Sequence, residues 1–209
     1  MVKRFRIILS PGAATAIPAV ALLLTTLAVG SAHAGQADTP PVDRFPPDSL
    51  AALISAAEQG DASAQFNLGD MYANGEGVPQ NDAEAVRWYR SAAELGLAFA
   101  QFSLGITYAN GEGVPENDAE AVRWYRAAAE QGLASAQFNL GVMYDNGEGV
   151  PENDVLAYAW FNLAAAQGFE PARETKDQLS GRMTREQVAR AQELSSIELL
   201  RAINEPPMR

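Results

Sequence analysis

The block YxNGEGVPxND occurs three times at a fixed step of 36 residues, with its first glycine at Gly75, Gly111 and Gly147. Whole units (61–96, 97–132, 133–168) share 28 of 36 residues between the first pair and 23 of 36 between the second. A period of roughly 20–50 residues is the signature of a solenoid. Each unit must bury its apolar face against the units before and after it, as in a solenoid. Such chains offer an extended surface to other proteins more readily than they enclose a reaction.

Within the first unit, Ala64, Leu68 and Tyr72 recur at i, i+4 and i+8, one face of a helix. Gly69 lies beside that stripe. A glycine inside a helix costs roughly 1 kcal/mol against alanine, so its return at Gly105 and Gly141 predicts a second helix in close approach. Asn74-Gly75 ends the first helix. After a loop shaped by Gly77 and Pro79, Asp82 or Asn81 caps a second helix, whose apolar face is Ala85, Trp88, Tyr89, Ala92 and Ala93. Glu84 and Arg87 stand three apart on its outer side and can pair. Gly96 closes the unit, which is a pair of antiparallel helices.

The ends of the array differ from its middle, as terminal repeats must when one face meets water. Residues 48–60 form a helical amino-terminal cap resembling a lone second helix, and residues 169–201 a degenerate last repeat. Thr184-Arg185-Glu186-Gln187 has the spacing of a capping box and predicts a final helix reaching about Leu200. The expectation is an all-α solenoid over 48–203 with about nine helices.

These residues resemble Sel1-like repeats, relatives of the tetratricopeptide repeat. The likeness rests on Ala64-Gln65-Phe66-Asn67-Leu68-Gly69-x-Met71-Tyr72, on Asn74-Gly75-x-Gly77-Val78-Pro79, and on Ala85-x-x-Trp88-Tyr89-x-x-Ala92-Ala93-x-x-Gly96, with their two later copies. Residues Ala157 to Gly168 resemble the last full repeat of secreted bacterial members, and Met183 to Gln187 their closing helix. The resemblance implies a right-handed superhelix whose first helices line a concave groove. It implies scaffolds, adaptors and envelope regulators as functions. Some cysteine-rich secreted relatives are linked to β-lactams, but this chain has none of the paired cysteines that mark them.

Residues 1–34 read as a secretory signal peptide: Lys3, Arg4 and Arg6 precede an apolar stretch from about Ile17 to Val29, and Ala32-His33-Ala34 offers a cleavage site. No later apolar run could span a membrane. A Pro-rich lead-in follows at 35–47, and 204–209 form a tail expected to fray. Cleavage after Ala34 would send the protein to the periplasm or outside the cell and shift its formal charge from −11 to about −14. It would also remove His33, the only histidine, from a chain with no cysteine.

These counts restrict the chemistry. Nucleic-acid binding needs clustered Lys and Arg, which a strongly acidic chain lacks. A Ser-His-Asp triad around Ser63, Ser103 or Ser135 has no histidine to draw on. Lys176, the one lysine after the leader, stands near Ser180 but between Glu174 and Asp177, and reads as a solvated residue. The Asn-Gly-Glu-Gly loops lack the Lys-Ser/Thr of a phosphate-binding loop, and Asp145-Asn146-Gly147-Glu148 lacks calcium-loop spacing. Paired acids such as Glu116 and Asp118 fall at helix starts, where capping accounts for them. The expectation is a monomeric, non-enzymatic protein with no cofactor or metal, binding a protein or peptide. A regulator of a sensor kinase or exopolysaccharide pathway is the alternative, and a glycan-acting envelope enzyme a minor one.

The candidate groove residues are Phe66, Asp70, Phe99, Phe102, Ile106, Phe138 and Val142. Phe66, Phe102 and Phe138 form an invariant ladder that serves either as inter-repeat packing or as aromatic anchors for a partner. Specificity would then fall on positions that change between units: 63/99/135 (Ser, Phe, Ser), 70/106/142 (Asp, Ile, Val) and 71/107/143 (Met, Thr, Met).

Overall fold

Helix boundaries are set by the same side chains in every unit. Asn81, Asn117 and Asn153 are extended, and the side-chain oxygen of each accepts the backbone N–H three residues on, at 3.2, 3.1 and 3.1 Å. This satisfies a donor that the first helical turn leaves free. Gly75, Gly111 and Gly147 end the preceding helices at φ of 70°, 72° and 70°, a conformation other residues resist. The computed structural model describes residues 47–196. Among the described residues it holds nine helices and no strand: α1 (Pro47–Glu58), α2 (Ala62–Asn74), α3 (Asp82–Glu94), α4 (Ala98–Asn110), α5 (Asp118–Glu130), α6 (Ala134–Asn146), α7 (Asp154–Ala166), α8 (Glu170–Ser180) and α9 (Arg185–Leu194). Each helix from α1 to α7 packs on the next in sequence, and α9 packs back on α7. The predicted leader and tail, and all but the end of the lead-in, lie outside the described residues.

The two helices of a unit meet at the interior glycine. A Cβ on Gly69 would lie 2.7 Å from a ring carbon of Tyr89. On Gly105 it would lie 2.6 Å from Tyr125, and on Gly141 2.6 Å from Phe161. The ring of the second helix therefore lies flat on bare backbone of the first, which is why three helices retain a residue of poor helix propensity.

Successive units are joined by buried glutamines. Gln65, Gln101 and Gln137 donate from Nε2 to the carbonyls of Ala57, Ala93 and Ala129, at 3.0, 3.1 and 3.2 Å, near the ends of the preceding helices. In the later units the amide oxygen is used as well. Gln131 donates to Gln101 Oε1, and Gln167 to Gln137 Oε1, each at 2.8 Å. A guanidinium forms a second link: Arg90 donates to the Tyr108 hydroxyl and Arg126 to that of Tyr144, both at 2.9 Å. The loops stack too, since a Cβ on Gly113 would lie 2.4 Å from the Asp82 carbonyl oxygen, and one on Gly149 2.4 Å from that of Asp118.

The third unit departs from the pattern where the carboxy-terminal cap covers it. Glu84–Arg87 and Glu120–Arg123 pair on exposed faces at 2.8 and 3.1 Å. Their equivalents are Leu156 and Ala159, which share a buried cluster with Ala191 and Leu194 of α9. Asp145, where the earlier units have Ala73 and Ala109, forms an ion pair with Arg182. Thr184 makes the expected capping box with Gln187. Helix α9 ends at Leu194, where Ser195 Oγ donates to the Ala191 carbonyl and its backbone leaves helical geometry; the expected end near Leu200 lies outside the described residues. Lys176 is also not a simply solvated residue. It is half-buried against α7, where Nζ donates to Asn162 Oδ1 at 3.2 Å and lies 5.9 Å from the Tyr158 ring.

Gly105→Ala is expected to destabilise the protein by about 1–3 kcal/mol despite the better helix former, because the methyl group must displace the Tyr125 ring. Urea unfolding checks this, and an unchanged or raised midpoint would show that the ring gives way freely.

Candidate partner-binding surface

Positions that break the repeat fall into two groups once the packing is known. In the first group the fold uses the change: Asp145 meets Arg182, and Leu156 and Ala159 lie beneath α9. Asp61 likewise caps α2 by accepting the Ala64 N–H at 2.7 Å, where the later units place Leu97 and Leu133 against the core. In the second group the change leaves an apolar side chain exposed or a carboxyl that no ion pair reaches among the described residues. Asp70, Leu95 and Phe99 form this group, and they lie in α2, in the turn between α3 and α4, and at the start of α4.

Leu95 and Phe99 are the two exposed large hydrophobic residues among those described, at 59% and 56%. Phe99 stacks on Phe66 with ring centroids 6.3 Å apart, and Phe66 in turn lies 5.9 Å from the buried Tyr89 ring. The Tyr89 hydroxyl donates to Asp70 Oδ1 at 2.7 Å. Phe99, Phe66 and Asp70 thus lie around the buried Tyr89 ring across α2, α3 and α4, apolar at one end and anionic at the other. Leu95 occupies the position at which Gln131 and Gln167 donate to a buried glutamine. Gln65 Oε1, in a residue only 8% exposed, consequently has no hydrogen-bond partner.

Asp70 is the electrostatic feature of this surface. Burial is the main cause that raises its carboxyl to about 6; the Tyr89 hydrogen bond opposes the shift and the Glu76 charge adds to it. Burial also raises the Tyr89 phenol, with Asp70, Glu112 and Asp82 adding to the effect, so Tyr89 remains a donor. Among the described residues no ion pair reaches Asp70. Of the cations on α3, Arg87 pairs with Glu84 and covers Trp88, and Arg90 points to Tyr108 in the next unit.

The other expected groove residues are placed unequally. Phe102 is half-buried, 5.8 Å from the Tyr125 ring, and Val142 is half-buried. Phe138 is 0% exposed, between Phe161 at 5.5 Å and Phe169 at 5.4 Å, and Ile106 is 2% exposed. Both belong to the core and are not surface in this structure. The ladder is therefore open at its first two rungs and closed at the third, where Phe169 of the cap covers it. Tyr89 and Leu95 were absent from the sequence expectation. The second was visible as Leu, Gln, Gln at 95, 131 and 167. Among the described residues no cluster of His, Cys, Asp or Glu could hold a metal, and no helix is long and apolar enough to cross a membrane.

Stacked antiparallel helix pairs with an open aromatic face define an all-α repeat protein of the interaction-scaffold class. The Sel1 repeat family matches residues 62–97, 98–133 and 134–169, more than half of the chain, and the protein belongs to that family. Among solved structures, a Sel1 repeat protein from Oxalobacter formigenes is 47% identical with a TM-score of 0.59, over 62% of this chain and 98% of that one. The protein c5321, a protective antigen present in uropathogenic Escherichia coli strains that displays an SLR fold, is 33% identical with a TM-score of 0.68, over 79% of this chain. This chain spans 37% of the length of that antigen. No curated protein matches the chain significantly.

Two outcomes are expected here. Leu95→Gln should raise stability by about 1–2 kcal/mol by supplying Gln65 Oε1 with a donor, as judged by urea unfolding; no gain would mean the amide has turned to another partner. Asp70→Asn keeps an acceptor for Tyr89 and removes the buried charge. A carboxyl raised to about 6 when folded disfavours the folded state above that pH, and the penalty vanishes below the unfolded value near 4. The Asn variant should therefore exceed wild type by on the order of 2 kcal/mol at pH 7.5, and the gap should close by about pH 4. A pH-independent gap would refute it.

Proposed function

We propose that this protein is a non-enzymatic scaffold or adaptor of the bacterial cell envelope that holds a partner protein on the face of α2, α4 and α6. Proteins built from Sel1 repeats generally mediate protein–protein interaction. The observation that carries the reading for this chain is the exposed Phe99 stacked on half-buried Phe66, a large apolar surface on an otherwise acidic solenoid. The envelope location rests on the signal-peptide pattern of residues 1–34, and the protective-antigen role of the Escherichia coli neighbour supports an accessible site outside the cytoplasm.

Affinity capture from detergent-solubilised envelope, using protein that begins at Gly35, tests the reading. A partner held by wild type should be lost by Phe99→Ser and weakened by Phe102→Ala, with helicity retained in both. A partner held equally by all three would move the contact to the second-helix face or the loops. Capture of nothing by wild type would count against the scaffold reading itself.

A further inference from the structure

We infer that the surface formed by Phe66, Phe99 and Asp70 is an anchor site for a partner segment that presents a large apolar side chain close to an arginine or lysine. The inference rests on the scaffold reading above and specifies the chemistry of what is held. Three observations carry it. First, Phe66 and Asp70 lie one turn apart on α2, with Phe99 stacked on Phe66, so the apolar and anionic elements lie within reach of a single short segment. Second, charge complementarity points to a cation. Asp70 is a partly buried carboxylate held by the Tyr89 hydroxyl at 2.7 Å, and Glu76, Asp82 and Glu112 all act on this Asp70–Tyr89 pair with negative charge. Among the described residues no ion pair supplies the counter-charge, and Arg87 and Arg90 are engaged elsewhere. A guanidinium or ammonium from a partner would relieve an electrostatic cost that the free protein sustains.

Third, both Asp70 and Phe99 depart from the repeat. The second unit places Ile106 at the Asp70 position, and the first and third units place serine at the Phe99 position. The adjacent units show that serine and an aliphatic residue fit these positions, so the repeat itself does not require Phe99 or Asp70. Leu95 beside it exchanges a hydrogen bond to a buried glutamine for an exposed side chain. Local departures that weaken the fold without structural compensation are expected at functional surfaces.

The test is selection of a random nonapeptide library displayed on phage against the full mature chain, followed by titration of synthesised winners into wild type, Asp70→Asn and Phe99→Ser. Both variants should fold, because Asn preserves the acceptor for Tyr89 and Ser is the residue of the other units. The expected winners carry a large apolar residue within about four positions of Arg or Lys, and each variant weakens them by about tenfold or more. Changing the peptide's cation to Gln should give the same loss on wild type and little further loss on Asp70→Asn, the signature of a direct pair. Affinity for wild type should also fall as the pH drops below about 6, where Asp70 takes up its proton, and Asp70→Asn should show no such change. Winners without a cation, or winners held by both variants as tightly as by wild type, overturn this inference and leave the scaffold reading standing on another surface. A library that yields no binder to wild type overturns both.

Discussion

An aromatic ring laid on a glycine sets the distance between the two helices of every unit, and the remaining geometry follows from it. With Tyr89, Tyr125 and Phe161 packed on bare backbone, a Cβ at the glycine would have only 2.6–2.7 Å of room. The same rings provide the floor on which Phe66, Phe102 and Phe138 pack, at 5.9, 5.8 and 5.5 Å. In the first unit the ring also carries the hydroxyl that reaches Asp70. In the third it is phenylalanine, opposite Val142, and the polar pair disappears. One contact therefore fixes the hairpin, supports the aromatic ladder and determines where a buried carboxylate can be held.

The links between units are of another kind. Buried amides are tolerable only when both ends are satisfied. Gln137 achieves this through Ala129 and Gln167, and Gln101 through Ala93 and Gln131. Gln65 achieves half of it, because the turn that should supply its donor carries Leu95 instead. The first interface is accordingly the least satisfied of the three. Leu95 lies four residues before the exposed Phe99, and Asp70, which no ion pair reaches among the described residues, lies on the same helix as Gln65. The surface proposed for a partner adjoins the weakest link in the polar ladder, as expected when a local surface has been shaped for contact at some expense to the fold.

The helix pattern was legible from particular residues. Asn81, Asn117 and Asn153 marked the starts of second helices, Gly75, Gly111 and Gly147 the ends of first helices, and Thr184 with Gln187 the last start. Local rules suffice there, because a cap involves atoms within four residues of each other. The break at Ser195 was not legible, since the apolar pattern does not register its hydrogen bond to a backbone carbonyl. The candidate surface was legible only in part. A helical wheel places Phe66, Phe102 and Phe138 on one side of their helices, but it cannot report that Phe169 closes over the third of them. Nor can it show that Leu156 and Ala159 replace an ion pair because α9 covers them.

By itself, the sequence determined the repeat, its period, the helix hairpins and the close approach of a second helix at each interior glycine. These depend on spacing along the chain and on steric limits that act within one unit. Only the tertiary structure decided which copies of a repeated residue face water. It separated Phe99, exposed, and Asp70, half-buried on the Tyr89 hydroxyl, from Phe138 and Ile106, which are buried. Exposure depends on what stacks above and below a residue, and identical units at different places in a solenoid have different neighbours.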